Sequence, residues 1–473
     1  MNGLDYGRRM TFVHQFSVDS EHYVIDGNSA VCFRIDEVAA AVLALRRAGQ
    51  TRDAIRSQLA SRHAGPALEG ALAEVEGLFA ARELDSPDPF SDTAPEQVPP
   101  VTTLCLVVSQ DCNLRCGYCY ADGGTYREEP QVMSLATVER AVDFLFAQSG
   151  GSPSLGLVFF GGEPLLNMDA IRCGVARAEQ RARHAGREIR FSVTTNGVLL
   201  SPPLVDYFVD HGFKVMVSLD GPAEIHDAVR PLRNGRGSHG IVARNLRAAL
   251  AGPGRDRCAI RSTFTRQTME LDSIVEYLWA TGCRDITVEP CSGPCGQLEI
   301  RPEDLPNLKT QYLRLVRRYI DAARQGTAPP FYHFEDFASR AANGGQRRIA
   351  CGAALSYVAV SADGRIYPCH RLVGMERLVL GDLERGWTRP ELREQFVSSC
   401  VERRPKCSQC WARYLCGGGC RANSILAGQS MDEPHELDCE MMRSLIEFGT
   451  HIYAQVHRPP RWRASGVADC VQR

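Results

Sequence analysis

The chain has 473 residues, 44% apolar and 23% charged, enough for two or three domains with a sizeable core. Its 54 basic and 56 acidic side chains give a net charge of −2, so no global field favours nucleic acid or a membrane surface as partner. No run approaches the roughly 18 apolar residues of a membrane span, and Met1–Gln15 lacks the apolar stretch of a signal peptide. The expected location is therefore the cytoplasm, where thiols stay reduced. There, 19 cysteines point to metal or catalysis rather than to disulfides.

Three short β-like runs open the chain, at Thr11–Val18, His22–Ile25 and Ala30–Ile35. Helical patterns follow at Val38–Arg46, Thr51–Ser61 and Leu68–Ala80, so residues 1–85 read as a small α+β unit. Residues 86–100, rich in proline and acid, are a linker by composition. From Thr102 strands alternate with helices, the pattern of parallel βα units. The predicted strands are Leu104–Val108, Leu157–Phe160, Arg190–Thr194, Val215–Leu219, Ile260–Thr265 and Ile286–Glu289, with helices such as Leu135–Gln148 and Met168–His184 between them. Six units predict an α/β fold over residues 101–300: a partial (β/α)6 TIM-like barrel, open on one side, with its chemistry at the C-terminal strand ends. Residues 301–345 read as a connector led by an amphipathic helix at 301–325. Residues 346–445 are an irregular, cysteine-rich domain, and 446–473 a solvated tail.

The first strand leads into Cys112-x3-Cys116-x2-Cys119. A structural zinc site wants four protein ligands, and no fourth lies nearby in sequence. A 4Fe–4S cluster held by three thiolates instead leaves one iron open to a substrate. Further elements sit in order at the ends of predicted strands: Gly161-Gly162-Glu163-Pro164, Thr194-Thr195-Asn196-Gly197, Ser218-Leu219-Asp220-Gly221 with Arg230 beyond it, and Glu289-Pro290. Each alone is weak, because Gly-Gly and Asn-Gly are common turns. Together with the cysteine loop they resemble the radical S-adenosylmethionine (SAM) enzymes. The resemblance implies that Cys112, Cys116 and Cys119 hold the cluster whose open iron binds SAM. It also implies that Gly161, Gly162 and Glu163 receive the methionyl amine, that Ser218 and Arg230 contact ribose and carboxylate, and that Tyr118 packs on the adenine. Thr195, Asn196, Asp220 and Glu289 would complete the SAM site.

Farther on come Cys351-x12-Gly364-x4-Cys369, Cys407-x2-Cys410-x5-Cys416-x3-Cys420 and Cys439. The turn at Asp363-Gly364 suits a hairpin that brings Cys351 near Cys369. By spacing alone a pair of zinc-ribbon knuckles also fits. The array resembles the SPASM domain of peptide-modifying radical SAM enzymes, which implies two auxiliary 4Fe–4S clusters and three in all. The outer would be held by Cys407, Cys410, Cys416 and Cys439, the inner by Cys351, Cys369 and Cys420. Many relatives carry an eighth cysteine before the first, but Asn343–Ala350 has none. Cys291 and Cys295 could supply a fourth ligand or be inactive loop thiols. An open inner iron could instead take a substrate cysteine. For Cys32, Cys105, Cys173, Cys258 and Cys283 a place in the core is expected.

Residues 1–85 resemble the winged-helix-like recognition element of enzymes that modify ribosomal peptides, which adds a leader peptide as an extra strand. As a whole, residues 11–445 resemble the thioether-forming maturases of the SCIFF or ranthipeptide type. That resemblance implies reductive cleavage of SAM to a 5′-deoxyadenosyl radical, hydrogen abstraction from a precursor peptide and sulfur–carbon bond formation, with electrons from an external flavodoxin or ferredoxin. Carbon–carbon crosslinking, epimerisation, quinohemoprotein amine dehydrogenase-type and sulfatase maturation are the alternative chemistries. A non-catalytic zinc-binding interaction protein is the alternative class.

Overall fold

Alternation along the first strands splits their side chains between two cores. The computed structural model describes residues 12–91, 93, 97–293, 295–327, 331–343 and 345–456. Residues outside these ranges include Thr11 of the first predicted strand, parts of the linker, Pro294, and the tail beyond Val456 with Cys470. Strands β1 (Val13–Val18), β2 (Glu21–Asp26) and β3 (Cys32–Ile35) form an antiparallel meander. Val13, Val24, Phe33 and Ile35 pack against helices α1 (Glu37–Arg47), α2 (Arg52–Leu59) and α3 (Gly65–Ala80) in a core of their own. Val18, Tyr23, Ile25 and Cys32 turn the other way, into the main core. A period of two thus makes one thin sheet the middle layer of a three-layer stack. Asp36 caps α1 and Thr51 caps α2, each accepting from the backbone N–H three residues on.

The start of the segment that composition marks as a linker is held by hydrogen bonds. The buried Asp26 carboxylate accepts from the backbone of Asn28, Ser29 and Ser86 and from the hydroxyls of Ser29 and Ser86. Asp88 then receives Arg413 at 3.0 Å and the Tyr414 hydroxyl at 2.6 Å.

The barrel strands are β4 (Thr103–Ser109), β5 (Ser154–Gly161), β6 (Glu188–Thr195), β7 (Lys214–Ser218), β8 (Cys258–Phe264) and β9 (Ile286–Pro290), parallel and adjacent in chain order. Helices α4 (Leu135–Gln148), α5 (Met168–Ala185), α6 (Pro202–Asp210), α7 (Ala223–Val229), α8 (His239–Ala251) and α9 (Leu271–Ala280) lie between them. This is the α/β fold of six parallel βα units expected from the alternation. Each predicted motif stands at the C-terminal end of its strand, so all line one edge of the sheet.

The connector holds two helices, α10 (Leu305–Arg324) and an unforeseen α11 (Tyr332–Asn343). The C-terminal domain is more regular than expected, because its strands borrow the barrel's edge. Strand β10 (Tyr357–Val360) pairs parallel with β4, and β11 (Arg365–Tyr367), β12 (Gly381–Asp382) and β13 (Gly386–Trp387) extend it antiparallel, giving ten strands. Helices α12 (Pro390–Ser398), α13 (Arg413–Cys416) and α14 (Arg421–Leu426) follow, then α15 (Glu436–Val456). The expected tail boundary at 446 is corrected: residues 446–456 continue α15 and bury Ile446, Phe448 and Ile452. Among the described residues no helix is long and apolar enough to cross a membrane.

The N-terminal unit docks on this domain. His14 stacks on Trp411 at 3.8 Å and hydrogen-bonds Glu447 at 2.8 Å, and the Tyr23 hydroxyl meets His451 Nδ1 at 2.8 Å.

Candidate active site

The loop after β4 is stitched on both sides. Arg115 N–H donates to Pro231 O and Gly117 N–H to Val229 O, both at 2.9 Å, while Arg233 N–H donates to Asn113 O at 3.0 Å. From the β5 end, Gly162 N–H reaches Ser109 O and Glu163 N–H reaches Asp111 O. The two glycines are required by this approach: a Cβ at Gly161 would stand 2.3 Å from Ser109 O, and one at Gly162 the same distance from Asp111 O.

Cys112, Cys116 and Cys119 come together on this loop, within electrostatic reach of one another. The Cys112 sulfur accepts from Leu114 N–H at 3.4 Å and from the Asn196 amide at 3.6 Å. Burial pushes the Cys112 thiol up to about 11 and Cys116 to about 12, with the Arg230 guanidinium opposing. Such thiols ionise when a metal centre supplies positive charge. The cysteines among the described residues are all free of disulfides.

Around the loop, the Tyr118 hydroxyl donates to Asp220 at 2.5 Å and accepts from Arg230 at 2.5 Å. Asp220 also receives Thr263 N–H at 3.0 Å, and its own N–H donates to His226 Nδ1 at 3.2 Å. Glu163 is wholly buried and accepts from Leu165 N–H, the Thr195 hydroxyl and Asn196 N–H at 3.0, 2.7 and 2.7 Å. It ties the β5 end to the β6 end. Desolvation raises its carboxyl to about 7, against the pull of those three donors. Ser218 is half-buried at the end of β7. Glu289, near the end of β9, pairs closely with Arg261 of β8. Burial pushes Glu289 up, but Arg261 and neighbouring cations more than offset this and hold it low.

The C-terminal cysteines fall into two groups. Cys420 lies within electrostatic reach of Cys351 and Cys369. Cys416 is similarly close to Cys407 and Cys410, and Cys439 to Cys416 and Cys407. The second set lines a cavity of about 410 Å³. Cys416 and Cys420 part company because Gly417, Gly418 and Gly419 between them all adopt left-handed backbone, with φ of 73°, 89° and 71°. Among the described residues no three His, Cys, Asp or Glu side chains converge to hold a single metal ion. The donor sets are made of thiols, the ligand type that holds iron–sulfur clusters.

Cys291 and Cys295 lie on the loop beyond β9, whose Ser292 O accepts from Arg371. Cys291 donates to Leu298 O at 3.0 Å, and Cys295 donates toward Tyr118 O at 3.8 Å. Of the five cysteines expected in the core, Cys32, Cys105, Cys258 and Cys283 are buried. Cys173 is only partly so.

Sequence reasoning missed Gln110, Arg261 and Arg371. Gln110 accepts from Ala362 N–H at 3.0 Å and donates to Glu128 at 3.0 Å, joining the cysteine loop to the β10–β11 hairpin. Its place directly before Asp111-Cys112 was the one available signal.

Residues 106–278 match the family model described as the Radical SAM superfamily. The barrel is therefore a radical SAM domain, and the chain is a SAM-dependent enzyme of the kind that pairs SAM with a 4Fe–4S cluster. More particularly, it is similar to a cysteine-type anaerobic sulfatase-maturating enzyme of Clostridium novyi (strain NT), 26% identical over 342 residues, covering 68% of this chain and 88% of the relative. A serine-type enzyme of Klebsiella aerogenes is 24% identical over 362 residues, covering 71% and 83%. Among solved structures, anSMEcpe with bound AdoMet and Cp18Cys peptide aligns with a TM-score of 0.63 at 21% identity, covering 76% of this chain and all of that one. Streptococcus suis SuiB bound to S-adenosylmethionine aligns at 0.52 and 16% identity, covering 90% and 98%.

Proposed function

We propose that this enzyme modifies a ribosomally made precursor peptide, joining a cysteine sulfur to a carbon as a thioether. The observation that carries the reading is the three-thiol inner group, Cys351, Cys369 and Cys420, with the Cys291 and Cys295 thiols donating instead to Leu298 O and Tyr118 O. A cluster held by three thiolates keeps one iron open, a position suited to a peptide cysteine.

In this reading Cys112, Cys116 and Cys119 hold the SAM cluster. The SAM site is formed by Tyr118, Gly161, Gly162, Glu163, Thr195, Asn196, Ser218, Asp220, Arg230 and Glu289. When bound, cluster and SAM supply a 5′-deoxyadenosyl radical that takes hydrogen from a peptide carbon. Tyr118, Asp220 and Arg230 orient the loop, and Glu163 fixes the strand ends. Cys407, Cys410, Cys416 and Cys439 hold the outer auxiliary cluster. The hairpin β10–β11 covers the β4 edge and limits water. Among the described residues, β3 pairs only with β2, and its other edge suits an added leader strand. A flavodoxin or ferredoxin would supply electrons.

The precursor reading is supported by coverage: the anSMEcpe fold accounts for 76% of the chain and the SuiB fold for 90%. SuiB has also been solved with its precursor peptide SuiA. The sulfatase-maturating relatives favour a second reading, oxidation of a cysteine or serine within a protein substrate.

The test is anaerobic incubation of the iron-loaded enzyme with SAM, reductant and a cysteine-rich peptide encoded beside its gene. Loss of two hydrogens per bond, with the cysteine no longer alkylatable, is expected. Conversion of cysteine to an aldehyde would establish the second reading instead. Combined Cys112→Ala, Cys116→Ala and Cys119→Ala substitution should abolish SAM cleavage.

A further inference from the structure

Arg371 occupies the junction of three parts of the molecule. One guanidinium nitrogen lies 3.6 Å from the Cys420 sulfur and also donates to Asn423 Oδ1. The other donates to Ser292 O at 2.9 Å, on the loop beyond β9. The guanidinium carbon stands 5.2 Å from the ring centroid of Tyr120, the residue that follows Cys119. One side chain thus touches the inner thiol group, the barrel mouth and the cysteine loop.

Its charge has no ion-pair partner in direct contact among the described residues. Arginine stays protonated at any physiological pH. No carboxylate forms an ion pair with Arg371 among the described residues, and its hydrogen-bond acceptors other than sulfur are neutral oxygens. A half-buried cation without a counter-ion is costly. The anions within its reach are Glu289, already paired with Arg261, and the thiolate set of Cys351, Cys369 and Cys420, of which it contacts Cys420 directly.

We infer that Arg371 is a positioning residue that places a fixed positive charge and an N–H donor on the inner auxiliary cluster and raises that cluster's reduction potential. The inference rests on the three-thiol reading given above. A reduced cluster carries one more negative charge than an oxidised one, so a nearby cation favours reduction. Net charge and hydrogen bonds to sulfur are the terms that set cluster potentials. An auxiliary cluster that accepts the electron left by bond formation gains driving force in this way. The contacts to Ser292 and Tyr120 hold the guanidinium in place, so the charge does not relax away from the sulfur.

The test is an electron paramagnetic resonance redox titration of the full-length, iron-loaded enzyme beside Arg371→Met and Arg371→Lys. The wild type should carry about 12 irons, four in each of three clusters. Arg371→Met should keep that iron and shift one cluster to lower potential, leaving the other two unchanged. Arg371→Lys, which keeps the charge without the planar fork, should fall between. If Arg371→Met fails to fold, a lowered inner potential in Arg371→Lys supports the inference and an unchanged one overturns it. Unchanged potentials at full iron content would overturn the inference alone. A wild type with the iron of one cluster would overturn the three-thiol reading and the inference with it.

Discussion

At the scale of single residues, the site depends on buried groups held in one protonation state. His226 is fully buried, accepting from Asp220 N–H and meeting Ser238 Oγ at 2.9 Å. Burial, with Arg230 and His239 nearby, lowers it to about 2. The folded value lies below the unfolded one, so its stabilising contribution is complete above about pH 6.5 and declines as pH falls from there. Between pH 7.5 and 5.5 this group costs about 1.4 kcal/mol in total. His226→Gln, neutral and able to keep both bonds, should flatten the dependence in denaturant titrations between pH 7.5 and 5.5. Parallel slopes for the two proteins would contradict this. The cysteines of the loop and the Gly161-Gly162-Glu163 run were legible because their spacing is local. Arg371 and Gln110 were not, since each acts through partners that folding alone brings near.

At the scale of elements, strands β1 to β9 followed from the sequence pattern and were placed within a few residues, whereas β10 to β13 were not. Helices α11 to α15 were missed, because tertiary burial and not a strong local signal defines them. The docking of the N-terminal meander was likewise invisible. It turns on Gly27, where a Cβ would stand 2.1 Å from Trp411 O, backbone that cannot swing aside. Gly27→Ala should therefore loosen the unit by about 1–3 kcal/mol, the usual cost of overpacking. The expected result is faster proteolysis between residues 86 and 100, with peptide-independent SAM cleavage retained. Unchanged protection would refute it.

At the scale of the whole molecule, the outer thiol group and the N-terminal unit share one support. The segment from Cys407 to Cys416 carries Trp411, Arg413 and Tyr414, which grip His14, Asn28 and Asp88. A cluster bound by Cys407, Cys410, Cys416 and Cys439 would brace that segment. Cys439→Ala should lose about four irons and expose the N-terminal unit to protease together. Iron loss with undiminished protection would separate the two.

By itself the sequence determined the radical SAM class, the six βα units and the cysteines available for metal, because each is written in spacings of a few residues or in a strand's period of two. Only the tertiary structure decided that the C-terminal strands lengthen the barrel sheet, that Cys416 and Cys420 face different groups, and that Arg371 lies against Cys420. Those outcomes depend on contacts between residues tens to hundreds of positions apart. Local periodicity carries no record of which distant surfaces will meet.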